Sequence, residues 1–194
     1  MKNIINKIVK LVKVAFVLPF VFGILGIFVG IYLAKYLPKS ESELRKEFYD
    51  TEMSVAVSPA TLKKWVDEKN TNYILVDLRS APEFEKEHFI TAVNIPAGSM
   101  DEVQLVDAFK KLDLNKEVVV HCYSAYCTLG REVGRELAKN KIYVKELNVG
   151  WSELRYHWDI WNPGAKVTDG EKYIVKGTPS TNVITPCTQG KFGC

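Results

Sequence analysis

Two apolar runs limit the fold more than any other feature of this chain. "YILVD" at residues 73–77 and "EVVVHC" at residues 117–122 show no alternation of apolar with polar side chains. A strand with one wet face alternates with a period of two. A run without alternation is buried on both faces, as in a parallel sheet covered by helices. The intervening stretches have helical character. In "SPATLKKWVDEKN", Ser58 can cap a helix with Pro59 in its first turn, and Leu62, Trp65 and Val66 recur at helical spacing. "APEFEKEHFI" reads as a short helix and "AVNIP" as a short strand closed by Pro96. "MDEVQLVDAFKKLD" reads as a helix with Val103, Val106, Phe109 and Leu112 on its apolar face. "TLGREVGRELAKNK" is a helix, "YVKELNVG" a strand and "WSELRYHW" a helix, with Val55-Ala56-Val57 as a short strand ahead of them all. Strands alternating with helices specify an α/β layer fold with a central parallel sheet flanked by helices.

Ahead of this pattern lies a different kind of segment. Residues 14–34, "VAFVLPFVFGILGIFVGIYLA", contain no charged side chain. As a helix they would span about 31 Å at ~1.5 Å per residue, close to the hydrocarbon thickness of a bilayer. We therefore expect one transmembrane helix. The alternative is a signal peptide, which has a shorter apolar region and a small-x-small cleavage site; Tyr32-Leu33-Ala34 is a poor one. Gly26 and Gly30 form a GxxxG pair, with Gly23 on the same face. This allows a homodimer through close helix approach, the alternative being that glycine is simply common in membrane helices. Lys2, Lys7, Lys10 and Lys13 precede the span, and Lys35, Lys39, Arg45 and Lys46 follow it. The denser, acid-free N-terminal cluster tips the positive-inside rule towards a single-pass protein with its soluble domain on the extracytoplasmic, periplasmic side.

Charge bears on partners as well. Residues 1–39 hold six of the 26 basic residues and no acid, so the remainder carries 20 basic against 23 acidic side chains. That balance offers no basic face for nucleic acid. The expected organisation is a basic segment over residues 1–13, the transmembrane helix over 14–34, a linker over 35–53 that is partly helical, a globular domain over 54–161, and a C-terminal extension over 162–194. In the extension, Asp169-Gly170 between "KVT" and "EKYIV" suggests a hairpin turn. Cys187 and Cys194 bracket "TQGKFG" and suggest a disulfide, with two free thiols as the alternative. The cysteines lack C-x-x-C spacing and the histidines (His88, His121, His157) are scattered, which argues against a metal site.

Candidate chemistry gathers in "HCYSAYCTLG", residues 121–130. Ligands of an open parallel sheet bind beyond the carboxyl ends of its strands, where Cys122 falls. The short segment from Tyr123 through Ser124, Ala125 and Tyr126 to Cys127 and Thr128 then enters a helix. Loop amides and a helix N-terminus together favour negative charge, which lowers a thiol's pKa and makes it nucleophilic. The alternative is that Cys122 is a small buried hydrophobe. Cys127 has two readings as well, as a space-filling residue or as a resolving thiol. His121 should face away from Cys122 and pack. Arg131, one turn into the helix, either lends positive charge or is a solvated helix residue.

These residues together resemble the rhodanese family in its single-domain sulfurtransferase form, over residues 54–161. "VSPATLKKWVDEKNTNYILVDLRSAPEFEKEHFITAVNIP" is similar to the family's opening, with Asp77, Arg79, Glu83, Phe84, His88, Ala92 and Asn94-Ile95-Pro96. "LNVGWSELRYHW" resembles its closing segment, with Gly150, Trp151 and Trp158. The resemblance implies a rhodanese-like three-layer fold preceded by the transmembrane helix. It implies that Cys122 carries sulfane sulfur as a persulfide, taken from a small sulfur donor and passed to a thiol or cyanide-type acceptor, with no cofactor. The amides of residues 123–128 would hold the terminal sulfur. Asp77 and Arg79 would tie the first strand's end to the following loop, and Glu83 and His88 would brace that region. One position departs from the pattern. Where many members have arginine five residues after the cysteine, this chain has Cys127, which argues against thiosulfate as preferred donor. A related phosphatase pattern needs arginine at the sixth position, here Thr128, which argues against phosphate chemistry. Two other functions fit the same residues: a non-catalytic module that binds a partner or carries sulfur, and a thiol–disulfide redox protein using Cys122 and Cys127.

Overall fold

Five short strands build the central sheet: β1 (Ala56–Val57), β2 (Tyr73–Asp77), β4 (Ala92–Asn94), β5 (Glu117–His121) and β6 (Lys145–Leu147). They are described by a computed structural model covering residues 19–20, 22–33, 38–162 and 164–177. The order is β1-β6-β5-β2-β4, and every pairing is parallel. The two unalternating runs lie side by side in the middle, Leu75 opposite Val119 and Asp77 opposite His121.

Both sheet faces are covered, as the lack of alternation requires. Val118 and Val120 pack with Val76, Leu105, Phe109, Val133 and Leu137 on one side. Val119 packs with Leu75, Leu62, Phe89, Trp151 and Trp158 on the other. The first helical layer comprises α4 (Glu102–Lys110) and α5 (Leu129–Lys139). The second comprises α2 (Pro59–Asp67), α6 (Trp151–Tyr156) and α7 (Trp158–Trp161). Ser58 caps α2 by accepting from the Thr61 N–H at 3.1 Å, with Pro59 in the first turn. The chain divides into two compact units, Met1–Phe48 and Tyr49–Cys194, and the sheet belongs to the second.

Several elements differ from the sequence reading. Val55 ends a helix, α1 (Glu41–Val55), which begins at Ser40 with a reciprocal Ser40–Glu43 capping box. In α4 the buried residues are Leu105, Val106 and Phe109, while Val103 is exposed, so the apolar face is rotated from the expected one. "APEFEKEHFI" splits into α3 (Ala81–Lys86) and β3 (Glu87–Phe89). Asp169-Gly170 does not turn a hairpin. Residues Val167–Tyr173 form a 3₁₀ helix, and β7 (Ile174–Lys176) runs antiparallel to the distant β3. The reason is packing: Tyr173 is buried between Phe89 and Trp158, and seating it there draws the following residues onto β3.

Residues 22–33 are helical, with Phe22, Ile27 and Phe28 exposed. Among the described residues no helix is long and apolar enough to cross a membrane. The rest of the expected span, residues 14–18, 21 and 34, lies outside the described residues, as do Cys187 and Cys194.

Candidate functional site

Cys122 follows the last residue of β5, 4% exposed, and its backbone oxygen accepts from the Trp151 N–H at 2.8 Å. The loop then crosses to α5, whose N-cap is Thr128. Cys127 is half-buried one residue before that cap, and no disulfide joins the two cysteines. With His121, Ser124, Ala125, Gly130 and Arg131 they line a cleft of about 320 Å³. The end of β6 with the residues after it, and the end of α1, line its other side, including Glu146, Glu52 and Met53.

The proximity of the two thiols is the chief cause of opposite shifts in their ionisation. It raises Cys122 far above the ordinary thiol range, with burial adding to the rise. It lowers Cys127 to about 6, burial opposing and the amides of Leu129 and Tyr123 assisting. Cys127 is thus the readier of the two to ionise. The Tyr123 amide favours the anion of either thiol, and the Leu129 amide at the start of α5 favours that of Cys127. Three of the six loop amides are engaged elsewhere. Ala125 N–H donates to Glu153 Oε2 at 3.1 Å, Tyr126 N–H to Ser124 Oγ at 3.3 Å and Cys127 N–H to the Ser124 carbonyl at 3.0 Å.

Two buttresses hold the loop. On one side the Tyr123 hydroxyl donates to Glu83 Oε2 at 2.6 Å, and burial followed by that carboxylate pushes the phenol up to about 12. On the other, Glu153 Oε2 accepts from both Gly150 N–H (2.9 Å) and Ala125 N–H. Gly150 must be glycine, because a Cβ there would meet Ser124 N at 2.3 Å.

Behind the loop, Arg79 Nε and Nη2 donate to the Asp77 carboxylate at 3.1 and 2.6 Å, both side chains being buried. Arg79 Nη2 also donates to the Glu87 carbonyl at 2.9 Å, and the guanidinium stacks 4.1 Å over Trp151. Burial works to raise the Asp77 carboxyl, but the His121 ring beside it and the Arg79 guanidinium outweigh it and hold it below its usual range. His121 lies 3.7 Å from Asp77 and, being fully buried, is pushed towards its neutral form. Its ring nitrogens have no hydrogen-bond partner among the described residues, and it packs. His88 stacks on Phe84 and bonds its carbonyl through Nδ1 at 2.8 Å, on β3 and outside the cleft lining. Arg131 reaches the cleft with its Nε on Glu146 Oε2 at 3.2 Å. Among the described residues no group of histidine, cysteine and carboxylate side chains could hold a metal ion.

Sequence reasoning missed Glu153, Glu146, Glu52 and Met53. Glu153 had a signal, since a glutamate three residues into a helix is a capping position. Glu146 sits near the carboxyl end of the strand beside β5, where the strand-end rule points. The approach of α1 had no local signal.

The comparisons agree with this architecture. The rhodanese-like domain model matches residues 58–156. The HTH-type transcriptional regulator Rv0324 of Mycobacterium tuberculosis is 31% identical over 104 residues, covering 50% of this chain and 41% of that protein. The chain thus spans less than half the length of that curated relative. The crystal structure of the BH2092 protein from Bacillus halodurans is similar in fold, with a TM-score of 0.51 and 24% identity over 63% of this chain and 83% of that one. From the Ser-Pro helix that opens the match, through the strand-end cysteine, to the tryptophan helix that seats its loop, this chain belongs to the rhodanese-like domain family.

Proposed function

We propose that this protein moves sulfane sulfur through a persulfide on Cys122, at a membrane surface to which residues 14–34 anchor it. The observation that carries this reading is the pair of thiols, Cys122 and Cys127, lining a cleft of about 320 Å³ beyond the carboxyl ends of β5 and β6. In the first half-reaction Cys122 Sγ attacks the outer sulfur of a persulfide R–S–SH and the S–S bond of the donor breaks. The Cys122 proton passes to the Cys127 thiolate, acting as general base, and from there to the departing donor sulfur, which leaves as a thiol and restores the Cys127 thiolate. In the second, an acceptor thiolate attacks the terminal sulfur and departs as a persulfide, returning the Cys122 thiol.

The cleft also speaks to the donor. Its charged lining residues among those described are Glu52, Glu146 and Arg131, and Arg131 is paired with Glu146. A doubly charged thiosulfate would meet net negative charge, so thiol persulfides are the preferred donors. The transcriptional regulation in the relative's name is not carried over: this chain covers 41% of that protein, and residues 40–194 hold 20 basic against 23 acidic side chains. The anchor is supported by the uncharged run over residues 14–34, and the lysine pattern favours an extracytoplasmic domain.

Intact-mass analysis after exposure to a small-molecule persulfide tests the reading. With Cys127→Ser, which keeps any adduct from further reaction within the loop, we expect a gain of one sulfur atom that disappears when Cys122→Ser is added. A sulfur adduct retained on the loop without Cys122 would overturn the assignment of the carrier. Absence of any adduct would leave a partner-binding module.

A further inference from the structure

We infer that Cys127 is a second catalytic thiol, which resolves the Cys122 persulfide and releases its outer sulfur as hydrosulfide. This rests on the sulfur-transfer reading above. Cys127 is the second thiol in the cleft lining, on the same short loop as the sulfur that would carry the persulfide. It is the less buried of the two. Its position one residue before the cap of an 11-residue helix favours the thiolate, with the Leu129 amide assisting. The loop holds the pair in place, since Cys122 O is fixed by Trp151 N–H and Cys127 N–H by Ser124 O. An arginine side chain at this position would have bound an anionic donor. A thiol here can instead react with the intermediate.

The step balances within the loop. The Cys127 thiolate attacks Cys122 Sγ, a Sγ–Sγ bond forms, and the bond from Cys122 Sγ to the terminal sulfur breaks. That sulfur leaves with the bonding electron pair as HS⁻, carrying the proton it held in the persulfide. The sulfane sulfur is reduced to sulfide, and the two cysteine sulfurs are oxidised to a disulfide. Thiol–disulfide exchange is favoured by a leaving group that is a weak base, as hydrosulfide is, and the helix start beside Cys127 favours the attacking thiolate. A dithiol, or two equivalents of a monothiol, then restores both cysteines. Over a cycle the protein converts a persulfide and two reducing thiols into a thiol, sulfide and a disulfide.

A single-turnover experiment on the detergent-solubilised full chain tests this. Cys187 and Cys194 are replaced by serine in every protein, so that only the loop pair reports. Each reduced protein is mixed with glutathione persulfide, freed of excess reagent, and assayed for sulfide and for intact and peptide mass. The wild-type loop should release stoichiometric sulfide, lose two hydrogens and give a peptide cross-linked between Cys122 and Cys127. Cys127→Ser should keep the sulfur adduct and lose sulfide release, and Cys127→Ala should do the same if the serine variant is unfolded by circular dichroism. A wild-type loop that retains its adduct, or a Cys127 variant that releases sulfide equally fast, overturns the inference while leaving sulfur transfer standing. Absence of any adduct on the Cys127 variants overturns both.

Discussion

At the scale of single residues, the unequal ionisation of Cys122 and Cys127 has a measurable signature. Alkylation requires the thiolate, so the rate at Cys127 should rise with pH through a midpoint near 6, lowered by the neighbouring Cys122 thiol and by the Leu129 and Tyr123 amides. Cys122→Ser removes the principal cause, and the midpoint should move up towards the ordinary thiol value of about 8.5. Rates of iodoacetamide labelling at Cys127, followed by peptide mass, would check this, and an unchanged midpoint would show that the amides alone set it. Behind the loop, Asp77→Asn strips the carboxylate from a buried guanidinium. Removing one partner of a buried pair destabilises by about 3–5 kcal/mol, which urea titration followed by tryptophan fluorescence would read through Trp151. Because the Asp77 carboxyl is held below its usual range, its contribution is complete above the unfolded value of about 3.9 and is lost as the pH falls below it.

Between elements, the seating of α6 against the cysteine loop decides the site. Trp151 and Ser152 donate their N–H groups to the carbonyls of Cys122 and Tyr123 at 2.8 and 2.9 Å. These bonds exist only because Gly150 lets the Ser124 backbone pass so closely. Gly150→Ala would place a methyl group against main-chain atoms that cannot rotate away. Overpacking of this kind costs about 1–3 kcal/mol, occasionally more. We expect that loss in urea titration, together with an upward shift of the Cys127 midpoint as the loop lifts away from the Leu129 amide. Destabilisation without the shift would mean that α5, not α6, holds the loop.

For the whole molecule, two expectations concern partners. Thiosulfate should be a poorer donor than a thiol persulfide in single-turnover labelling of Cys122. Glu146→Gln should narrow the gap by removing negative charge from the cleft and freeing Arg131 from its ion pair. An equal response to both donors would remove the electrostatic argument. The anchor makes a separate prediction: the full chain should stay in the pellet of alkaline-washed membranes, and a chain lacking residues 1–34 should be released.

Patterns confined to neighbouring residues were legible in advance. Valine runs buried on both faces specified the parallel sheet, Ser58-Pro59 opened a helix, and Cys122 fell at a strand's carboxyl end, because each follows from a few adjacent side chains. Features joining distant segments were not. Val103 was turned to solvent by the way α4 settled on the sheet, and "KYIV" paired with β3 because Tyr173 found a pocket between Phe89 and Trp158. The division of charge between the two thiols belongs to the same class. Sequence position pointed to Cys122 as the readier anion, whereas the mutual influence of the two thiols, with the burial of Cys122 and the amides at the start of α5, favours Cys127. Local chemistry determined which residues meet at the strand end. Tertiary packing decided which of the two thiols ionises more readily, because that depends on the partner thiol, the burial and the amides that only the folded chain brings together.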